Sequence, residues 1–203
     1  MKMRVILVCL CMIWTTAPRA AELPGDSLYR LDISLQTADG TTRMLSSLRG
    51  QALLVTLFYS QCSSVCPLLT AQLQDIDRKL TPQARRGVTV LMVSLDATRD
   101  TPAALRAFKD EHRIDDPRWI VARADATGVR LLAAALGIRY RELPDHTFDH
   151  SSVVTLADSD GVIRASSTLG LRGADASFLQ TVRSIGEAAA ATRLGDERLP
   201  RPQ

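Results

Sequence analysis

Ala52-Leu53-Leu54-Val55-Thr56-Leu57-Phe58-Tyr59 runs directly into Ser60-Gln61-Cys62-Ser63-Ser64-Val65-Cys66-Pro67. The first eight residues are almost wholly apolar and too few for a helix of ordinary length, so they read as a strand buried on both faces. Pro67 to Leu80 then places Leu69, Leu73, Ile76 and Leu80 at helical spacing. Two thiols four residues apart therefore stand where a strand turns into a helix. Pro67 has no N–H to donate and disfavours helical geometry at Cys66, which predicts a helix starting at Pro67 with both cysteines on the entering loop. The unsatisfied N–H groups and positive dipole end of that helix favour thiolate over thiol.

Upstream, Leu28 to Leu35 alternates apolar and polar residues, Asp39-Gly40 is a turn signal, and Thr41 to Leu45 can return as a partner strand. Downstream, Val88 to Leu95 is a second buried strand, and Thr101-Pro102 opens a helix over Ala103 to Glu111 with Thr101 as its cap. A short strand over Arg118 to Ala122 and a helix over Gly128 to Leu136 follow. Val153 to Leu156 and Val162 to Ala165 flank Asp158-Ser159-Asp160-Gly161 as a closing hairpin, and Ala174 to Ala191 reads as an amphipathic helix. The fold class expected is α/β, a thioredoxin-like fold with an N-terminal β-hairpin addition and a central, mostly parallel sheet flanked by helices.

Domain organisation follows from composition. Met1 to Arg4 carries two positive charges, Val5 to Trp14 is uninterrupted apolar sequence, and Thr15 to Ala21 is small and polar. Residues 1–20 read as a secretory signal peptide, because even Val5 to Ala17 covers about two thirds of the ~20 residues that span a bilayer; a retained N-terminal anchor is the alternative. The domain proper is expected over 21–191, with a flexible C-terminal tail over 192–203. Of 25 basic side chains, Lys2, Arg4 and Arg19 belong to the leader, leaving 22 against 22 acidic ones. A nearly neutral domain excludes charge-driven nucleic-acid binding. Cys9 and Cys11 also leave with the leader, so an exported domain of the periplasm, or of the outer face of the inner membrane, keeps one close thiol pair for redox chemistry, metal binding or a small local disulfide.

Three intervening residues, against the two of thioredoxin-type oxidoreductases, allow both sulfurs to face a common third ligand. Two thiolates with one imidazole form a soft, low-coordinate set suited to Cu(I) before Cu(II), whereas structural zinc ordinarily takes a fourth ligand. The chain has three histidines. His112 stands among charges at a helix end and reads as a surface residue. His150, in Asp149-His150-Ser151-Ser152, lies in the loop entering the Val153 strand, which a thioredoxin-like topology brings beside the dithiol. His146, in the same loop, reads as a surface residue, a weak second ligand or a guard at the site mouth. Asp149 can orient His150 from outside the ligand set or serve a turn; Asp96 can do the same or pair with Arg99 as a cap.

Phe58 to Pro67, Val93 to Pro102 and Asp149-His150-Ser151, in that order, resemble the Sco/SenC family of copper proteins. The chain departs from the commonest family pattern at Ser63 and Ala97, where proline is usual. The resemblance implies copper ligation by Cys62, Cys66 and His150. It implies a metallochaperone supporting the binuclear copper centre of a respiratory cytochrome oxidase, with the copper-receiving oxidase subunit and another copper chaperone or thioredoxin-like reductant as partners. The alternative is a thiol-disulfide oxidoreductase in which Cys62 and Cys66 reduce that subunit's copper-binding cysteines, Cys62 being the nucleophile. A thiol peroxidase ranks below both, since no proline stands between Gln51 and Cys62.

Overall fold

The computed structural model describes residues 22–62, 65–169 and 173–197, with the side chains of residues 65, 66, 196 and 197 outside that set. The expected signal peptide lies outside the described residues. In chain order the elements are β1 (Ser34–Thr37), β2 (Thr42–Met44), β3 (Ala52–Phe58), α1 (Val65–Arg78), α2 (Pro82–Gly87), β4 (Val88–Ser94), α3 (Pro102–Glu111), β5 (Trp119–Arg123), α4 (Ala126–Ala135), β6 (Tyr140–Glu142), β7 (Phe148–His150), β8 (Val153–Ala157), β9 (Ile163–Thr168) and α5 (Ala176–Glu197).

Every residue of β3 and β4 is buried. They pair in parallel from Ala52 opposite Val88 to Phe58 opposite Ser94. Because side chains alternate across a strand, β3 deals its residues to two cores. Leu54 and Phe58 join Leu69, Leu73 and Ile76 of α1, Phe108 of α3, and Phe178 and Val182 of α5. Leu53, Val55 and Leu57 join Ile33, Leu35 and Val129, Leu132 and Ala133 of α4. An apolar run without polar alternation thus becomes the middle layer between helices.

The sheet runs β2-β1-β5-β4-β3-β8-β9, and β6-β7 forms a separate two-stranded sheet. The expected parallel arrangement holds for the central β3, β4 and β5, while both flanks are antiparallel. The early hairpin closes through Asp39-Gly40, with Gly40 at φ +89° as the turn requires, and β1 joins the edge of β5.

Several boundaries differ from the sequence reading. Leu28–Arg30 is a 3-10 turn rather than strand, because Ser27 caps it and the Tyr29 hydroxyl donates to the carbonyls of Leu48 and Gln51, 2.9 Å each. Helix α1 begins at Val65, two residues before Pro67. Proline is tolerated there because the N–H groups of a first turn have no intrahelical acceptor. The closing helix α5 continues past Thr192 to Glu197, so the expected tail is helical over its first residues. Helix α2 was not foreseen, although Thr81-Pro82 carries a cap signal; the Thr81 hydroxyl accepts from Ala84 N at 3.1 Å.

Helix α2 meets α5 through two glycines. A Cβ on Gly186 would stand 2.8 Å from the Ala84 carbonyl oxygen and 2.8 Å from Val88 Cγ2, and one on Gly87 would overlap the Gly186 carbonyl. Backbone cannot yield as a side-chain end can. Gly186→Ala is therefore expected to lower stability by about 1–3 kcal/mol, read as a lower urea midpoint at unchanged slope.

Candidate metal centre

Strand β3 lies between β4, parallel to it, and β8, antiparallel to it. Its carboxyl end therefore lies beside the carboxyl end of β4 and the start of β8. The β3–β8 register, Val55 opposite Thr155 and Leu53 opposite Ala157, carried along both chains brings Ser151 level with Tyr59. The Thr56 hydroxyl holds that approach by donating to the Val153 carbonyl at 2.8 Å. The two segments singled out in the sequence meet for this reason.

On the thiol side, the Cys62 N–H donates to the Tyr59 carbonyl at 3.4 Å, closing a turn directly after β3. Cys62 is 9% exposed and packs within the larger core cluster. Cys66 falls in the first turn of α1 rather than on the loop before it, which corrects the expected start of the helix. Its side chain lies outside the described residues, as do Ser63 and Ser64.

His150 ends β7, in a hairpin that pairs Tyr140 with His150 and Glu142 with Phe148. The expected loop is thus a short antiparallel ribbon. Its seat is aromatic: the Tyr59 ring lies 5.3 Å from that of Phe148 and meets the His150 ring edge-on at 6.1 Å. Burial pushes the His150 pKa below its ordinary value of 6.5, against the opposing effects of the Ser151 backbone and the Asp149 charge. His150 Nδ1 lies 3.3 Å from the Ser151 carbonyl oxygen. That arrangement suits a proton on Nδ1 and a lone pair on Nε2, the neutral form a metal takes. The ring borders an open depression of about 330 Å³ lined by Arg139, Tyr140, Arg141, Asp149, His150 and Ser151.

The other sequence candidates divide. Asp149 alternates to the opposite face of β7, where its carboxylate is 69% exposed and 3.7 Å from Arg141, while its charge still acts on the His150 ring. His146 occupies the hairpin tip at φ +61°, with Nδ1 2.8 Å from Glu142 Oε1 and the side chain 74% exposed, so it faces water. His112 ends α3, its ring 4.4 Å from Phe108. Asp96 is 3% exposed and accepts from Arg99 N at 2.9 Å, Thr98 N at 3.3 Å, the Thr98 hydroxyl at 2.9 Å and Arg99 Nε. Burial opposes its ionisation, but these donors outweigh burial and hold its pKa below the usual carboxylate range. The cap-and-pair reading of Asp96 is the one its contacts support.

Sequence reasoning passed over Asp100. This carboxylate is 1% exposed and accepts from Ser60 N at 3.0 Å and from the hydroxyls of Ser60 and Ser94. It ties the start of the thiol loop to the end of β4. An aspartate just before a helix cap reads as a turn residue in sequence, so only its burial separates it from the many exposed ones.

Among the described residues, no three His, Cys, Asp or Glu side chains gather into a metal-sized cluster. Cys62 and His150 supply one soft and one borderline donor at the same end of the sheet, and a third would come from Cys66. Such a set fits Cu(I), which is content with low coordination. A family model described as SCO1/SenC matches residues 23–184.

The chain belongs to the SCO1/SenC family.

A SCO1 protein homolog of Bacillus subtilis is 28% identical over 86 residues, which is 42% of this chain and 44% of that one. The chain spans about half the length of the curated relatives it matches, 44% and 58%. Among solved structures, a SCO1/SenC family lipoprotein of Bacillus anthracis superposes with TM-score 0.69 at 16% identity, covering 77% of this chain and 95% of that one. The copper-bound ScoI of Bradyrhizobium japonicum gives 0.59 at 22%, covering 79% and 94%. The fold of this SCO1/SenC chain is therefore that of the Sco proteins, thioredoxin-like with helices on both sheet faces.

In the metal-free protein, His150 is expected to titrate below 6.5. Below pH 6.5 the unfolded chain takes up a proton that the folded one refuses, so stability falls as pH drops from 6.5 toward the native pKa; above 6.5 both states are neutral and the contribution is flat. NMR titration of the ring and urea midpoints from pH 8 to about 5 check this. His150→Gln removes that part of the slope, and a folded-state pKa at or above 6.5 contradicts burial as the governing cause.

Proposed function

We propose that this SCO1/SenC protein is an exported copper-binding chaperone, holding one copper ion as cargo between Cys62, Cys66 and His150 and serving assembly of the binuclear copper centre of a respiratory oxidase. The observation that carries the reading is the meeting of a half-buried, neutral-leaning imidazole with the thiol loop through Tyr59. Two thiolates on Cu(I) would leave net negative charge at the site, which the N-terminus of α1 favours, the more so with Cys66 in its first turn. Copper in relatives such as the B. japonicum ScoI supports the choice of metal.

Periplasmic location rests on the leader. Among the described residues no helix is long and apolar enough to cross a membrane. Partners in this reading are the copper-receiving oxidase subunit and a thiol reductant that keeps the dithiol reduced. The same thiols would serve a thiol-disulfide oxidoreductase, for which His150 is not needed as a ligand; that difference decides the experiment.

Anaerobic Cu(I) titration of the reduced domain lacking residues 1–20, in competition with a chelator of known affinity, is expected to give one copper per chain. His150→Ala is expected to weaken binding by at least the ~10–100-fold typical of losing an outer partner of a metal ligand. Affinity indifferent to His150 favours the oxidoreductase.

A further inference from the structure

The thiol arm and the histidine arm arrive on different strands, yet one loop touches both. Between β4 and α3, Asp96 to Asp100 forms a closed turn: Asp100 N donates to the Asp96 carbonyl at 3.2 Å, and the Asp96 carboxylate accepts from both Thr98 and Arg99. On one side the Asp100 carboxylate accepts from the backbone and hydroxyl of Ser60, two residues before Cys62. On the other, Arg99 donates through Nε to Asp96 and through Nη2 to the carbonyl of His146, at the tip of the hairpin that ends in His150. Ser94 joins the halves, its hydroxyl donating to Asp100 and accepting from Asp96 N at 2.9 Å.

We propose that this hydrogen-bonded chain, Ser60–Asp100–Ser94–Asp96–Arg99–His146, is a brace that fixes the gap between Cys62 and His150, with Asp100 and Arg99 as positioning residues for copper binding. The copper part rests on the function proposed above; the mechanical coupling does not. The carboxylates are 3% and 1% exposed, so their bonds are shielded from competing water. The Arg99 fork serves two acceptors at a fixed angle, and a lysine ammonium on a flexible stem does not reproduce it. His146, at φ +61° on the hairpin tip, takes part through its backbone carbonyl and not through the imidazole.

The test uses Ser60→Ala and Arg99→Lys, singly and together, in the protein lacking residues 1–20. Amide hydrogen exchange in the metal-free state reads the coupling. Arg99→Lys is expected to speed exchange about tenfold at Leu143 and His146 of the hairpin and also at Ser60 on the other arm. Acceleration confined to the hairpin overturns the brace. For copper, each single variant is expected to weaken Cu(I) binding about tenfold, and the double variant by less than the product, because both relax the same gap. Wild-type affinity in either single variant, or full multiplication in the double, overturns the positioning roles. If the parent protein binds no copper, the proposed function falls while exchange still decides the brace.

Discussion

Pairing of β3 with β4 on one side and β8 on the other is the constraint from which the site follows. Parallel pairing brings the carboxyl ends of β3 and β4 together, and antiparallel pairing brings the start of β8 to the same edge. The thiol loop, the Asp96–Asp100 turn and the segment carrying His150 are then neighbours at one end of the sheet, although they are spread over nearly ninety residues of chain. Slipping β3 by one position would send its side chains to the opposite core, so the apolar load of both faces fixes the register and with it the approach of Tyr59 to His150.

Burial at that edge carries a cost that the local hydrogen bonds must meet. An ionised carboxylate withdrawn from water costs several kcal/mol (roughly) even after relaxation, and each hydrogen bond to a charged group returns about 1.5–3 kcal/mol. Asp96 and Asp100 are each met by several donors, and both also constrain a turn that a looser surface loop would leave free. Their arrangement favours order over strength. Replacing either carboxylate leaves several donors without their acceptor, whereas Ser60→Ala and Arg99→Lys, at the ends of the chain of bonds, keep both carboxylates and most of the donors that meet them.

Legibility in the sequence tracked the number of residues that enforce each element. Strands β3 and β4 were legible because seven consecutive buried positions admit almost no polar residue. Helix α3 was legible because Thr101-Pro102 states its start chemically, and the structure uses that cap, with Thr101 Oγ1 accepting from Ala104 N. Hairpin β6–β7 was not, because three residues per strand give no alternation to count and four of the six, Arg141, Glu142, Asp149 and His150, are charged or polar. Its signal was Tyr140 and Phe148 flanking the Pro144-Asp145 turn, aromatic anchors for a ribbon outside the main sheet. Leu28 to Leu35 misled in the other direction: its alternation is real, but a Ser27 cap and the Tyr29 hydroxyl bonds decide its first half. Of the candidate site, Cys62 and Cys66 were raised by residue chemistry and spacing and His150 by the topology expected of the fold, and the structure brings the His150 ring to Tyr59, three residues before Cys62. Asp149 could not be judged, since which face of β7 it occupies depends on a strand the sequence did not announce.

The two arms of the site differ in what must break for them to move. Cys62 follows a strand whose residues are all buried and which pairs with β4 along its whole length and with β8 over Leu53 to Val55, so shifting it disturbs two cores at once. His150 ends a ribbon outside the seven-stranded sheet, held by aromatic contacts, by Arg99 at its tip and by Ser151 and Arg139 at its base, where Ser151 N donates to the Arg139 carbonyl at 3.0 Å. Lifting the ribbon costs those contacts and leaves the main sheet intact. In the copper-chaperone reading proposed above, cargo must be held and also surrendered, and release would fall to the imidazole arm, because only the Arg99 brace and the contacts of the ribbon hold it. In the same reading, a dithiol used solely for electron exchange would have no need of the second arm, which is why the proposed ligand role of His150 separates the two functions.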